Sequence, residues 1–193
     1  MKWWDRLIGW TPWFIGALII AGIVHILTIL AMPRLAPLDS FSRMEAITPL
    51  ARVTPLPPIQ PGQEFAPFED PAMAAAVCRY DLDRGPLRVR GNLTSDNLLL
   101  LSFHSRFGEV FYSMTDRSAT KGALDILVVT QTQLTAIEAY DSEDELPSEL
   151  RLIAPQSVGY VILRSLALQP GAMDDARARL TTISCGVDAS TPG

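Results

Sequence analysis

The hydrophobic positions of the chain are concentrated first in one unbroken stretch, residues 13–32, which contains no Asp, Glu, Lys or Arg. A helix rises 1.5 Å per residue, so a helix of this length covers about 30 Å, the thickness of the hydrocarbon core of a bilayer. The pattern therefore predicts a transmembrane helix. Two later apolar runs, residues 98–103 and 124–129, are too short to span a membrane and predict buried strands instead.

The apolar stretch fits an uncleaved anchor better than a secretory signal peptide. A signal peptide has a shorter apolar region and an Ala-x-Ala-like exit. Here the region is long, a cut after Ala31 would have no small residue at its −3 position, and Pro33 follows closely. We therefore expect the helix to stay in the protein and to hold it in the lipid bilayer.

Basic residues near the stretch give a slight orientation bias. Lys2 and Arg6 precede it, and Arg34 and Arg43 follow it. The positive-inside rule then favours a cytoplasmic N-terminus, with residues 1–12 as a cytoplasmic tip and the C-terminal part in the periplasm of a bacterial inner-membrane protein with a single span. All four tryptophans occur by residue 13, which is typical of an interfacial belt, and Pro12 suits the first helical turn with Thr11 as N-cap.

Residues 33–69 predict a juxtamembrane helix followed by a proline-rich linker. Apolar residues recur at helical spacing over residues 39–47, where Asp39, Ser40 and Ser42 are alternative N-caps. Five prolines then follow between residues 49 and 61. Closely spaced prolines favour extended polyproline II structure, so this segment is interpreted as a spacer that holds a domain off the bilayer.

Residues 70–185 predict a mainly β domain, and residues 186–193 a disordered tail. Asp70 and Pro71 suggest a helix start that runs through the alanines to residue 76. Short apolar or alternating runs separated by turn residues then predict strands at 77–82, 87–90, 98–104, 110–114, 124–130, 150–153 and 158–163, with helices at 131–140 and 170–180. The alternation at 87–90 suggests a surface or edge strand. This spacing indicates an antiparallel, jelly-roll-like β-sandwich with one or two short helices.

Composition excludes some functions and leaves few chemical candidates. The 193 residues carry a net charge of −5 without a basic stripe, which argues against nucleic-acid binding. No Gly-rich phosphate loop, nucleophile elbow or spaced set of metal ligands is present, so we expect no catalytic motif, cofactor or metal. The acidic run at 141–145 lacks the Gly and terminal Glu of a calcium loop and is interpreted as a solvated loop.

Cys78 and Cys185 are the only cysteines. In an oxidising compartment they could form a disulfide joining the two ends of the domain. The alternative is a pair of separate buried thiols, because sequence cannot supply the distance between them.

Three further side chains are candidate ligand or partner contacts: Arg164, His104 and Tyr112. Arg164 stands within an apolar strand, where a charge must be paired or face solvent; it is either a structural ion pair, with Asp81 or Glu109, or an anchor for a ligand. His104 is more readily explained as a strand-end residue than as a catalytic one. His25, within the membrane stretch, lacks an ionisable partner there and is interpreted as structural.

The ordered set of segments in the domain resembles the family named domain of unknown function 1254. The resemblance rests on the strand, Asp-Leu, Gly-Pro, strand pattern at 77–89, the hairpin at 98–116, and the closing strand and Asp-initiated helix at 152–180. It implies a β-sandwich in an envelope or secreted setting and carries over no catalytic residues. Longer members continue into a domain of unknown function 1214, so the resemblance also implies a separate protein that supplies this complementary domain.

Two main functional hypotheses follow. The first is a non-enzymatic binding or assembly module of the cell envelope that works with the complementary protein. The second is one half of an envelope enzyme, with Arg164, His104 and Tyr112 near a shared cleft. A third is a lipid- or glycan-binding module, which needs an apolar or aromatic-lined pocket.

Overall fold

A computed structural model describes residues 2–35, 40–58, 70–93, 98–118, 122–140 and 149–188. The chain divides into two compact units, Met1–Asp39 and Ser40–Gly193. The acidic run at 141–145, the linker residues 59–69 and the expected tail beyond residue 188 lie outside the described residues.

The first unit is one long helix, α1 (Lys2–Leu35). Its segment Gly9–Met32 is long and apolar enough to cross a membrane. The helix begins ten residues before Pro12, so the expectation that Pro12 occupies the first turn with Thr11 as N-cap is wrong. A proline inside a helix removes one backbone donor, and the rest of the helical ladder on both sides can persist. Thr28 bonds back to the carbonyl of Val24 at 2.8 Å.

The second unit is β-rich. Within the described residues it contains three helices, α2 (Ser40–Ile47), α3 (Gln131–Glu138) and α4 (Met173–Thr181), and the following strands: β1 (Thr54–Pro55), β2 (Met73–Asp81), β3 (Leu87–Asn92), β4 (Leu99–Ser105), β5 (Val110–Thr115), β6 (Ala123–Val129), β7 (Leu150–Ile153), β8 (Val158–Leu166) and β9 (Ser184–Val187).

The strands form two sheets in a β-sandwich-like arrangement. One sheet has five strands in the order β1-β2-β8-β4-β5, and the other has four in the order β7-β6-β3-β9. A single buried cluster draws side chains from both sheets, including Leu101 and Leu163 from the first and Val89 and Ile126 from the second. The core therefore lies between the two sheets, and each sheet has a second, outward face.

One strand pair departs from the antiparallel expectation, because β6 and β7 run parallel. The chain leaves β6 through α3 and returns along β7 in the same direction. Antiparallel strands can be joined by a tight turn, whereas a parallel pair needs a longer crossover of this kind. The helix begins with a capping box, in which Thr130 and Gln133 exchange side-chain to backbone hydrogen bonds.

The helix predicted after Asp70 is wrong, because these residues enter strand β2. The carboxylate of Asp70 accepts a hydrogen bond from the Ala72 N–H at 2.9 Å and so caps a turn. Ala74 and Ala76 are then buried in the strand, and the equally buried Ala176 of α4 belongs to the same core cluster. Small side chains let a helix pack closely on a sheet, and this burial outweighs the helix propensity of alanine.

Strand β3 is an interior strand, not the edge strand that its alternating pattern suggested. It lies between β6 and β9 in the four-stranded sheet. Local sequence patterns do not predict β9, which covers Ser184–Val187 and thus extends into the segment expected to be a tail.

Residues 40–56 are part of the second unit and pack against its five-stranded sheet. Phe41 and Met44 of α2 are buried against Val77 and Tyr160. After α2, Leu50 forms an isolated bridge with Arg79, and β1 pairs with the outer edge of β2. Pro55 is tolerated in β1 because an edge strand leaves one row of backbone groups unpaired.

Candidate functional site

The outward face of the five-stranded sheet carries the main polar candidates, and we call it the Arg164 face. Its members are cross-strand partners on β4, β5 and β8, and such partners project from the same side of a sheet. They are the pairs Leu100 with Arg164, Ser102 with Ile162, His104 with Tyr160, and Ser102 with Ser113. These pairs therefore combine one cation, an imidazole and three hydroxyls.

His104 is held rigidly on this face. Its imidazole stacks on the Tyr160 ring, with centroids 4.8 Å apart and planes 8° from parallel. Its Nδ1 lies 3.2 Å from the carbonyl oxygen of Gly108, and its Nε2 lies 2.9 Å from Ser102 Oγ. The carbonyl of Gly108 can only accept, so Nδ1 carries the proton and Nε2 of the neutral ring accepts from the Ser102 hydroxyl.

The surroundings of His104 favour its neutral form. Burial lowers the pKa of His104 below its ordinary value of 6.5, and the positive charge of Arg164 lowers it further, while the hydrogen bond to Gly108 opposes these effects. Desolvation and a nearby cation both penalise the imidazolium. At neutral pH the ring is therefore a hydrogen-bond acceptor at Nε2.

Arg164 is exposed and forms no ion pair with any described residue. Neither Asp81 nor Glu109, the two expected partners, pairs with it, and Asp81 contacts Arg84 at 3.4 Å. Arg164 can face solvent because it alternates with the core residues Leu163 and Ser165 along β8. The sequence correctly indicated that this arginine lies in an apolar strand, but it did not show that the side chain is on the solvent-facing side of the sheet.

Tyr112 lies on the opposite side of the sheet from His104 and Arg164. It pairs with Phe103 across β4 and β5, and the two rings are 6.1 Å apart at the edge of the core. The structure thus puts His104 and Arg164 on one face, four positions apart in the strand register, and Tyr112 on the other face. A cleft shared by all three side chains, as the enzyme hypothesis required, is not formed.

Helix α2 covers the Tyr160 end of the Arg164 face, where Phe41 and Met44 are buried against that ring. Arg79 of β2, which pairs with Tyr160, contacts Glu45 at 2.8 Å and donates to the Thr48 carbonyl at 3.1 Å. The guanidinium of Arg106, from the β4–β5 turn, lies 4.2 Å from the centre of the Phe41 ring. These contacts fix α2 and frame one side of the face.

Tyr80 and Gly159 support the strand ends beneath His104. The buried Tyr80 hydroxyl donates to the His104 carbonyl at 3.0 Å. A Cβ at position 159 would collide with that carbonyl and with the Tyr80 ring, so glycine is required by close packing. Burial also raises the pKa of Tyr80, which keeps this donor protonated.

The outward face of the four-stranded sheet carries an ion-pair network centred on Arg88. Arg88 contacts Asp125 at 2.8 Å, Asp188 at 2.9 Å and Glu149 at 3.5 Å. The hydrogen bond from Arg88 lowers the pKa of Asp125 below its ordinary value of 3.8. Because its charges are mutually paired, we interpret this network as structural. The alternation of Arg88 and Arg90 in the sequence indicated a shared face, but not the acidic partners.

Cys78 and Cys185 form a disulfide across a separation of 107 residues. Their Cα atoms are 6.5 Å apart. Cys78 belongs to β2 and Cys185 to β9, so the bond ties the five-stranded sheet to the four-stranded one through the core. Among the described residues, no group of three or more His, Cys, Asp or Glu side chains is arranged to hold a metal ion.

No family model and no curated protein matches this chain. Its fold is similar to the crystal structure of the VPA0106 protein from Vibrio parahaemolyticus, with a TM-score of 0.55, 10% identity and 80% of this chain covered. An uncharacterized protein from Burkholderia cenocepacia matches with a TM-score of 0.43 and 12% identity over 71% of this chain. The chain spans 37% and 34% of those two proteins. At these identities the likeness concerns the fold alone.

Proposed function

We propose that the chain is a single-pass protein of a bacterial cell envelope whose β domain faces the periplasm. The Cys78–Cys185 disulfide supports this orientation, because disulfides persist in oxidising compartments while cytosolic thiols are kept reduced. The apolar helix segment Gly9–Met32 supplies the anchor, and the basic residues before it agree in direction with a cytoplasmic N-terminus.

The domain serves as a binding module, and the Arg164 face is its binding surface. The observation that carries this proposal is the exposed guanidinium of Arg164 in an interior strand, with no ion pair among the described residues. The exposed Ser113 shares the face, while the Ser102 hydroxyl is already donated to His104. A guanidinium with a hydroxyl donor on the same face suits a carboxylate or phosphate group, which the guanidinium can contact through two parallel hydrogen bonds.

The complementary partner is a separate protein carrying the domain of unknown function 1214. This partner is proposed from the ordered sequence segments that resemble the domain of unknown function 1254. Membership of the domain of unknown function 1254 family, and with it a jelly-roll sandwich, is likewise proposed from the ordered sequence segments.

A ligand-dependent melting experiment tests the binding surface. The full chain in a non-ionic detergent is heated with inorganic phosphate or acetate, against chloride at equal ionic strength. A ligand present at ten times its Kd stabilises a protein by about 1.4 kcal/mol. We expect the phosphate or acetate increment to disappear in Arg164→Gln and to remain in Arg177→Gln, which removes a surface arginine of α4. Equal increments in both variants would contradict the proposal.

A second candidate is an envelope enzyme whose site is completed by the partner protein. Tyr112 is on the other side of the sheet, so this enzyme site would contain only His104 and Arg164 of the three candidate side chains. The specific observation in its favour is the contact between Ser102 Oγ and His104 Nε2. A lipid- or glycan-binding role is a third proposal that rests on the sequence alone.

A further inference from the structure

Ser102, His104 and the Gly108 carbonyl form a connected chain of hydrogen bonds. Ser102 Oγ lies 2.9 Å from His104 Nε2, and His104 Nδ1 lies 3.2 Å from the carbonyl oxygen of Gly108. The direction of each bond is fixed, because the carbonyl must accept and the neutral ring has only one N–H. The hydroxyl proton of Ser102 therefore points at the imidazole lone pair.

We propose that Ser102 is a nucleophile, with His104 as its general base and the Gly108 carbonyl as the group that orients the imidazole. A nucleophilic serine needs a base within hydrogen-bond reach, and the base needs a third group that fixes its tautomer. Both geometric requirements are met. The tight turn between β4 and β5 supplies the third group, since it brings residue 108 back to residue 104.

The substrate class is an ester that carries an anionic group. Arg164 is on the same face as the Ser102–His104 pair, and its charge reaches His104. A carboxylate or phosphate bound there would hold the ester next to Ser102 Oγ. This inference goes beyond binding and rests on the proposed function only for the role of Arg164.

The reaction balances with water as the sole co-reactant. Ser102 Oγ attacks the acyl carbon while its proton passes to His104 Nε2. The bond from the acyl carbon to the alkoxide breaks, and the imidazolium returns the proton to the leaving alkoxide, giving an alcohol and an acyl-serine. Water, deprotonated by His104, then attacks the acyl carbon; the proton returns to Ser102 Oγ and a carboxylic acid is released.

Access to the pair is through the Arg164 face. Ser102 and His104 are 7% and 9% exposed, so most of each side chain is enclosed. Across the strand, Ser102 is flanked by Ser113, which is small and exposed. Enclosure of this kind excludes bulk water around the pair while leaving one open side towards the substrate.

The test uses a fluorophosphonate probe on the full chain in detergent. Ser102 Oγ would displace fluoride from phosphorus, leaving a covalent adduct that tandem mass spectrometry locates. We expect labelling at Ser102 that is lost in Ser102→Ala and kept in Ser184→Ala, which removes an exposed serine of the four-stranded sheet. His104→Gln should slow labelling by at least about 100-fold, the lower end of what a general base contributes. Thermal melts establish that each variant is folded.

A pH profile separates a general base from a structural histidine. Labelling should be full at neutral pH and fall as the pH drops through the lowered pKa of His104, and His104→Gln should abolish that dependence. Absence of a Ser102 adduct in the folded protein would overturn the inference, as would labelling that His104→Gln leaves unchanged. Either result would leave the Arg164-dependent phosphate or acetate response intact, so the two proposals fail separately.

Discussion

The disulfide between the two sheets allows a stability prediction with a calculable size. Cys78 and Cys185 are separated by 107 residues, and in the chain-entropy treatment a crosslink closing such a loop destabilises the unfolded chain by about 4.8 kcal/mol at 25 °C. A change of 1 kcal/mol moves the melting temperature of a domain of this size by roughly 2–4 °C. Loss of the bond should therefore lower the melting temperature by about 10–20 °C.

The measurement must report on the β domain and not on the anchor helix. All four tryptophans precede residue 14, whereas all four tyrosines lie at or beyond residue 80. Near-UV circular dichroism of the tyrosines therefore follows the domain, and tryptophan fluorescence does not. The full chain in detergent is melted with and without a thiol reductant, and the double variant Cys78→Ala, Cys185→Ala serves as the control that reductant should not affect.

Two results would refute the reasoning. The first is a melting temperature that reduction lowers by less than a few degrees although mass spectrometry shows both thiols free. The second is a pair of free thiols in protein purified without reductant. The first would mean that the core alone holds the sheets together, and the second that the domain does not meet an oxidising compartment.

Three further predictions concern packing and charge. In a urea titration, Gly159→Ala should destabilise the domain by about 1–3 kcal/mol, because the added Cβ overpacks the strand ends. The control Gly186→Ala, where a Cβ meets no atom within 4 Å, should leave the stability unchanged. Arg79→Met should cost about 1–3 kcal/mol in the same titration, because it leaves a buried carbonyl unpaired. Because the pKa of Asp125 is lowered in the folded protein, its carboxylate stabilises the fold fully above pH 3.8, and this stabilisation is lost as the pH falls through the lowered pKa. Asp125→Asn cannot form the charged pair with Arg88, so its unfolding midpoint should fall less steeply than that of the wild type as the pH is lowered through the acid range.

Local patterns in the sequence predicted most strands because each strand's own residues carry the signal. The apolar run of β4 and the alternation in β3 are examples, since the order of apolar and polar residues reflects whether both faces of a strand or only one is buried. The start of β2 was misread because alanine is a strong helix former in isolation. Its strand conformation depends on α4, which arrives about a hundred residues later in the chain.

The candidate site could be predicted only in part for a related reason. Arg164 and His104 were recognisable as unusual residues, but nothing local to them shows that they share a face. Ser102 was not recognised, although its spacing of two from His104 in a strand places both side chains on one side of the sheet. The orientation of the His104 imidazole depends on a hydrogen bond to the backbone carbonyl of Gly108. Every residue has a backbone carbonyl, so no residue type in the sequence indicates this contact.

A pair of C-terminal reporter fusions tests whether the anchored β domain faces the periplasm. Alkaline phosphatase, which folds only in an oxidising compartment, and a green fluorescent protein, which reports a cytoplasmic end, are each fused after Gly193 and expressed in a Gram-negative host. We expect active phosphatase and no fluorescence from membrane-bound protein. A fluorescent fusion with inactive phosphatase would place the domain in the cytoplasm and contradict the proposed topology.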